Sequence, residues 1–214
     1  MPQSLGLAGC DHEEVGDVAL AQMSRVTPWD YPVLFRPRPL LGEIDGLIDA
    51  EGHVGTKYRA WRNLLPIRAS FHWSVYDLPA IAGVGRRLAD RDGLTQPFVD
   101  RIEPPAMQLF LGSGLMQYLD MPLFAPLRRM QKLPTHLILN KVAVRDGETV
   151  VTLERIGKSH APYQIRSEGA FIGDVQALGY SMVDRWTIPS LSHIIETHPE
   201  MEASTGAGFY FRLG

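Results

Sequence analysis

The sequence has a single cysteine, Cys10, among its 214 residues. One cysteine cannot form a disulfide within the chain and cannot supply the cysteine pair of a structural zinc site. The lack of a disulfide framework is typical of proteins from reducing compartments, and we therefore expect a cytoplasmic location. His193 and His198 are five residues apart in a predicted loop, and we predict no metal site there.

Long apolar runs and an excess of positive charge are also missing. No run of about 18 apolar residues is present, and the first residues carry acids rather than the basic segment that opens a signal peptide. The formal net charge is −3 and the arginines are scattered, so the chain offers no basic field to a nucleic acid. We predict a small-molecule partner, no membrane and no nucleic acid, and leave a homodimer open.

The length and composition suit one α/β core. The 214 residues are 45% hydrophobic, which is enough apolar material for a single domain. We predict a tail and a modest helix over residues 1–30 and one domain over residues 31–214. The proline-interrupted segment 29–41 is predicted to cross the domain irregularly. Three of its apolar residues are expected to pack inward: Tyr31, Leu34 and Phe35.

The segment from Gly46 to Tyr58, GLIDAEGHVGTKY, is the one around which the chain is organised. Apolar residues lead to Asp49, a loop with Gly52 and Gly55 follows, and helical spacing of apolar residues begins after it. In an open α/β sheet such a strand, turn and helix can hold a nucleotide-like cofactor. Glycines let the backbone approach the ligand, and helix N–H groups point at it. A plain βα turn remains the alternative.

The next predicted strand, FHWSVYD, alternates apolar and polar residues and ends on Asp77. In nucleotide-binding sheets an acid at the tip of the second strand accepts hydrogen bonds from ribose hydroxyls. Asp77 follows Gly55 by 22 residues, close to the expected interval of about 20. Asp77 is equally suited to cap the helix that Leu78 and Pro79 open. The sequence leaves both roles open.

Polar residues also follow two later strands. Residues 106–111, AMQLFL, are apolar enough to predict a buried central strand, and THLILNK predicts the fifth. Ligands bind outside the carboxyl ends of parallel strands, so these residues are expected to converge on one crevice with the opening turn. They are Ser113, Gln117, Tyr118, Asn140 and Lys141. Each of them alone also suits a solvated strand end.

Beyond Val144 the pattern changes. The pair Asp146-Gly147 lies between β-prone runs and predicts a hairpin. Residues 155–166, which include His160 and Tyr163, are predicted to form a long polar loop facing the crevice. The two closing strands, YSMVDRW and GAGFYFRLG, are predicted to pair as a long hairpin.

Several of these stretches together resemble a bacterial family of S-adenosylmethionine-dependent methyltransferases. They are the opening turn, VYDLPAI, LFLGSGLMQYLD, LPTHLILNKVAV, VTLERIG, PYQI, ALGYSMVDRW and GFYFRL, and the resemblance covers residues from about Tyr31 to Leu213. Members are often associated with surface polysaccharide or other biosynthetic gene clusters. The resemblance implies the α/β, Rossmann-like class I methyltransferase fold. That fold is a seven-stranded, mostly parallel sheet flanked by helices, with an antiparallel last strand beside the fifth.

The resemblance implies S-adenosylmethionine as the cofactor and six binding positions: Asp49, Gly52, Gly55, Asp77, Asp100 and Ser113. It matches Asp77 to the ribose hydroxyls, Asp100 to the adenine and Ser113 to the methionine part. The family usually shows glycines at alternating positions after the acid, whereas Glu51 and His53 occupy two of those places. A side chain there would crowd the ligand, and a left-handed turn would be strained.

The implied function is methyl transfer to a sugar or another small biosynthetic intermediate. Transfer from a sulfonium is an in-line displacement that requires alignment and exclusion of water but no metal. Histidine exchanges protons near neutral pH, so His160 is the candidate base, with Tyr118 as a second catalytic candidate. Four residues are candidates for substrate contact, Lys141 for an anionic group: Gln117, Asn140, Lys141 and Tyr163.

Two other interpretations stay open. A relative that keeps the sheet but has lost turnover, and that serves as a binding or scaffold protein, is favoured by Glu51 and His53. A different nucleotide-using enzyme, such as a dehydrogenase, shares the fold class, because fold alone does not determine chemistry. The missing glycines count against that enzyme as well.

Overall fold

The computed structural model describes residues 20, 24–99, 107–119, 127, 130, 132–156 and 159–214. The helix predicted within residues 1–30 and the predicted adenine contact Asp100 lie outside the described residues. The strands are β1 (Gly46–Ala50), β2 (His72–Tyr76), β3 (Phe98–Val99), β4 (Leu109–Ser113), β5 (His136–Arg145), β6 (Val150–Ile156), β7 (Ser159–Ser167), β8 (Tyr180–Ile188) and β9 (Thr205–Leu213).

The α-helices of the described chain are α1 (Tyr31–Phe35), α2 (Thr56–Trp61), α3 (Pro79–Arg91) and α4 (Glu168–Gln176). Short 3₁₀ turns lie at Pro28–Asp30, Leu40–Gly42, Pro189–Leu191 and Pro199–Met201. None of the described helices is long and apolar enough to span a membrane.

The sheet has the strand order predicted for the class I methyltransferase fold. Strands β3, β2, β1, β4 and β5 are neighbours in that order and all parallel. The last strand, β9, lies antiparallel beside β5, and β8 pairs with the other edge of β9. The predicted terminal hairpin and the reversed last strand are therefore confirmed.

The sheet differs from the prediction in the number of its strands. In the described parts of the chain it contains nine strands rather than seven, because hairpin β6–β7 is added between β5 and α4. Residues 159–165 of β7 pair with β6, and its last two residues join the end of β5 at Val144 and Arg145. The predicted loop over residues 155–166 is therefore wrong, because cross-strand pairing overrides the weak strand propensity of this polar sequence.

The central strands are buried because helices cover both faces of the parallel sheet, and all five residues of β1 are buried. Successive side chains point to opposite faces, so the apolar residues divide between two clusters. One cluster includes Phe110, Leu137, Leu139, Phe171 and Phe209. The other includes Leu47, Trp61, Trp73, Leu109 and Ile138. Each such side chain contributes roughly 2 kcal/mol by leaving water.

The segment before β1 corrects a second prediction. Tyr31 and Phe35 are 65% and 68% exposed, so the prediction that they pack inward is wrong. Both lie in α1, and residues four apart share one helix face, which here is the solvent face. Val33 is fully buried in their place, and Leu34 is partly buried against the core.

Candidate functional site

The turn after β1 takes the left-handed conformation at three alternating residues. The φ angles are +53° at Glu51, +52° at His53 and +78° at Gly55. These are the three positions at which the resemblance implies glycine, so the turn keeps a glycine-like backbone around two larger residues. A left-handed non-glycine residue costs roughly 1–2 kcal/mol. Strain that the surrounding structure maintains in this way is often found at functional sites.

The predicted glycines are held by close packing inside the protein. A Cβ atom on Gly52 would lie 2.8 Å from Cγ of Asp49 and 2.8 Å from a methyl group of Val75. A Cβ atom on Gly55, the N-cap of α2, would lie 3.0 Å from the Phe98 ring. The turn therefore rests directly on the Asp49 carboxyl group.

Asp77 lies at the tip of β2 and is only 5% exposed. Its Oδ2 accepts the backbone N–H of His53 at 2.9 Å, and its Oδ1 accepts the N–H of Leu78 at 2.8 Å. Burial raises the pKa of the Asp77 carboxyl group above its usual range, and the His53 side chain nearby lowers it in part. A carboxylate has about four lone-pair sites, so Asp77 retains the capacity to accept hydroxyl groups.

Asp49 is a deeply buried acid of this region, at 1% exposure. Its Oδ2 has no hydrogen-bond partner among the described residues. Burial raises its pKa to about 7, and the charge of Lys57 opposes the shift. A buried carboxyl group without a partner is destabilising, so a ligand that donates a hydrogen bond would satisfy it.

Glu51 is half-buried beside this acid. No hydrogen bond or ion pair joins it to the described part of the chain. Burial raises its pKa to about 8, and the negative charge of Asp77 raises it further. Glu51 also acts electrostatically on Tyr118, so its carboxyl group lies within reach of both the β2 tip and the turn after β4.

Lys141 reaches the same region from β5. It lies at the bulge between Leu139 and Val142 with a φ of +57°. Its Cε and Nζ atoms would lie 3.4 Å from a Cβ atom on Gly114. Burial lowers the pKa of Lys141 to about 8, and Lys57 lowers it further, while the charges of Asp30 and Asp49 oppose the shift. Its ammonium group is therefore close to the acids Asp30 and Asp49.

Sequence analysis missed a buried ion pair at the back of this site. Lys57 Nζ lies 2.8 Å from Oδ1 of Asp30, and both residues are buried. The other oxygen of Asp30 accepts the backbone N–H and the hydroxyl of Thr27 at 2.9 and 2.7 Å. The spacing of Thr27 and Asp30 is that of a capping box, a signal that was present in the sequence.

We call the space at the carboxyl ends of β1, β2, β4 and β5 the crevice. Its described residues are Asp49, Glu51, His53, Asp77, Ser113 and Lys141. Ser113 ends β4, and its buried Oγ has no described hydrogen-bond partner. Gln117 donates from Nε2 to the carbonyl of Lys141 at 2.6 Å. The predicted convergence of Ser113, Gln117 and Lys141 on the tip of β1 is therefore present.

Asn140 does not face a substrate. Its side chain is 0% exposed; Nδ2 donates to the carbonyl of Trp29 at 3.2 Å, and Oδ1 accepts the indole N–H of Trp186 at 3.0 Å. Both ends of the amide are thus used within the protein, contrary to the predicted substrate contact. Asn140 instead joins the N-terminal segment to β8 across the end of β5.

Tyr118 and Tyr163 form the boundary of the crevice toward hairpin β6–β7. Their rings meet edge to face with centroids 5.7 Å apart, and the Tyr118 hydroxyl donates to Glu154 at 2.5 Å. Burial and the Glu154 carboxylate raise the pKa of Tyr118 well above its usual range. Tyr118 therefore keeps its proton and is a hydrogen-bond donor, not a base.

His160 is exposed on β7 opposite Arg155. No hydrogen bond or ion pair within the described ranges joins His160 to the crevice. His160, the predicted base, is therefore not linked to the ionisable groups of the crevice in the described structure. No group of three or more histidine, cysteine, aspartate or glutamate residues in the described chain is arranged to hold a metal ion.

A second concave surface adjoins the crevice behind the two tyrosines. This cleft of about 290 Å³ lies between hairpin β6–β7 and the connection from β8 to β9. Its lining includes Thr152, Glu154, Tyr163, Ile165, His193 and Ile195. The mixture of apolar walls and a few polar groups is typical of sites for small organic molecules.

No protein-family model and no curated protein matches the sequence. The fold, however, is found in solved structures. A didemethyltoxoflavin N1-methyltransferase from Burkholderia thailandensis, solved with S-adenosylhomocysteine, superposes with a TM-score of 0.57 at 14% identity, over 94% of this chain and 83% of that one. A methyltransferase from Clostridium acetobutylicum gives 0.51 at 12% identity, over 96% of each chain.

OxaC, solved with sinefungin and meleagrin, gives a TM-score of 0.55 at 17% identity over 94% of this chain. The present chain spans only 50% of the length of OxaC. The chain has the class I methyltransferase fold. At these identities the similarity establishes the arrangement of the sheet, and the chemistry has to be argued from the crevice.

Proposed function

We propose that the protein transfers the methyl group of S-adenosylmethionine to a small molecule. The observation that carries this proposal is the backbone of the turn after β1, which is left-handed at Glu51, His53 and Gly55. The turn is hydrogen-bonded to Asp77 on the neighbouring strand. The toxoflavin methyltransferase with the same fold was solved with the demethylated donor, which supports the choice of cofactor.

The residues present fit this cofactor in three respects. The turn keeps its glycine-like backbone, Asp77 lies where an acid can accept the ribose hydroxyls, and the crevice contains buried polar atoms of Asp49 and Ser113 without described partners. The residues differ from the expected cofactor site in one respect, because Glu51 and His53 are larger than the glycines expected at these positions. Both side chains are at least partly exposed, so each has solvent-facing space into which it can turn.

Each residue of the crevice has a distinct part in this proposal. When bound, the cofactor supplies an electrophilic methyl group on a sulfonium. Asp77 orients the sugar, and Ser113 and Asp49 face the methionine part. Gly52 lets the backbone lie against Asp49 and so fixes the position of the turn. The buried walls keep water from the reacting groups, which favours alignment over hydrolysis.

We assign the acceptor to the cleft that adjoins the crevice, and propose a sugar or another small biosynthetic intermediate. Lys141 would hold an anionic group of the acceptor, and the Tyr118 hydroxyl oxygen, whose proton is donated to Glu154, would accept a hydrogen bond from the acceptor. Small heterocyclic molecules are bound in the toxoflavin methyltransferase and in OxaC, which supports an acceptor of this size. The role of His160 stays a prediction, for which His160→Gln is the test.

The test is formation of S-adenosylhomocysteine, followed by mass spectrometry, when the protein is incubated with S-adenosylmethionine and fractions of small metabolites. We expect product with some fractions, loss of product in Asp77→Ala, and normal product in the exposed control Asp90→Ala. Tight donor binding without turnover on any fraction would instead support a binding or scaffold protein.

A further inference from the structure

Glu51 occupies the middle of the crevice. In the sheet, β1 lies between β2 and β4. Glu51 directly follows β1, while Asp77 follows β2 and Tyr118 lies in the turn after β4. A ligand that spans from a sugar at Asp77 to an acceptor near Tyr118 must therefore pass over Glu51.

The structure maintains Glu51 there at an energetic cost. Its φ of +53° is unfavourable for any residue other than glycine. Its half-buried carboxyl group has no hydrogen bond or ion pair within the described chain. A second, independent observation points to a ligand at this turn, since Asp49, two residues before Glu51, is 1% exposed and its Oδ2 is also without a described partner.

The two forms of the cofactor differ in charge at one atom. The donor has a positive sulfonium, whereas the demethylated product has a neutral thioether. We propose that Glu51 selects the methyl donor over the demethylated product, because its carboxylate pairs with the sulfonium and has no counterpart in the thioether. This inference rests on the proposed function and adds to it a means of product release.

Ionisable groups from several elements surround the crevice, and among them the charge of Asp77 raises the pKa of Glu51. They are Asp49 from β1, His53 from the same turn, Lys57 from α2, Asp77 after β2, Tyr118 after β4 and Lys141 from β5. Burial and the charge of Asp77 raise the pKa of Glu51 to about 8, so the free protein holds it mostly protonated at pH 7. A bound cation favours the ionised form, and the proton then passes to the buffer.

Loss of the methyl group reverses this balance. Once the sulfur is neutral, the Glu51 carboxylate faces Asp77 without the compensating positive charge of the sulfonium, so protonation becomes favourable again. The product is therefore bound less tightly than the donor, and product inhibition is weak. Glu51 occupies a position where the family usually has glycine, and its carboxylate supplies an interaction with the sulfonium that glycine cannot make.

The test is calorimetric titration of the whole protein at pH 7, in two buffers of different ionisation enthalpy, with donor and product in parallel. We expect the donor to bind about tenfold more tightly than the product and to release up to about one proton more. In Glu51→Gln, which has the same size and cannot ionise, we expect the two ligands to bind within about threefold and with equal proton release. Glu51→Gly, with an unstrained turn, should behave like Glu51→Gln, and circular dichroism establishes that both variants are folded.

The outcomes separate this inference from the proposed function. If the unmodified protein binds donor and product equally and with equal proton release, Glu51 is not a selector, although the cofactor assignment stands. If the selectivity survives in both Glu51 variants, the inference is also overturned. If neither ligand binds the unmodified protein, the proposed function fails, and the inference fails with it.

Discussion

The backbone N–H of His53 donates to Oδ2 of Asp77 at 2.9 Å. This hydrogen bond fastens the strained turn after β1 to the tip of β2, on residues that lie 24 apart in sequence. Because the same carboxylate is the proposed ligand of the ribose hydroxyls, the shape of the turn and the capacity to bind a cofactor depend on one residue.

Removal of this carboxylate should lower stability. In Asp77→Ala the N–H groups of His53 and Leu78 lose their acceptor, and we expect the free energy of unfolding to fall by about 2 kcal/mol. Asp77→Asn keeps one acceptor oxygen and should lose less than half as much. Urea unfolding at pH 7 measures both, and an effect of Asp77→Ala no larger than that of the exposed control Asp90→Ala would contradict the prediction.

Asp49 should make stability fall as pH rises. Burial raises its pKa from 3.8 to about 7, so between these values the folded state holds a proton that the unfolded state has released. The stabilisation is complete below about pH 4 and is lost as the pH rises through 7, by up to roughly 4 kcal/mol.

Asp49→Asn removes this titration, so the difference in unfolding free energy between variant and parent should shift in favour of the variant as the pH is raised from about 4.5 to about 8. Urea titrations across that range measure it. The effect of Glu51, which has the same sign, is present in both proteins and cancels. A difference independent of pH would show that Asp49 ionises normally in the folded state.

The strain at Glu51 can be measured with a pair of substitutions. Both Glu51→Gly and Glu51→Ala remove the carboxyl group, but only glycine adopts a φ of +53° without penalty. We expect the glycine variant to be more stable than the alanine variant by about 1 kcal/mol. Equal thermal stability of the two variants would mean that the turn does not hold position 51 in the left-handed conformation.

Substitutions of Asp30 and Lys57 should show a large coupling free energy, because the two side chains form a buried ion pair. Lys57→Met leaves Asp30 buried without its cation, and we expect a loss of about 3 kcal/mol or more. Asp30→Asn should be destabilising as well, while the double variant should lose clearly less than the sum, since neither partner is then left charged. Additive losses in the double-mutant cycle would show that the two side chains do not interact in solution.

The sequence predicted those parts of the fold in which local pattern and final environment agree. The unbroken apolar run before Asp49 became the fully buried β1, and the alternating run before Asp77 became β2. At Glu51 and His53 the sequence indicated that a left-handed turn would be strained, and the backbone there is left-handed.

The predictions that failed depended on partners distant in sequence. Residues 159–166 form part of β7 because β6 and the end of β5 pair with them. The amide of Asn140 is occupied by Trp29 and Trp186, which lie 111 and 46 residues away. No local pattern shows that such a side chain will be used inside the protein rather than by a substrate.

The most direct measurement is a crystal structure of the chain with S-adenosylhomocysteine. Our account predicts the adenosyl group over the tips of β1, β2 and β4, with the ribose hydroxyls on Asp77 and the thioether sulfur beside Glu51. A ligand bound elsewhere, or a crevice that stays closed by Glu51 and His53 at saturating ligand, would contradict it.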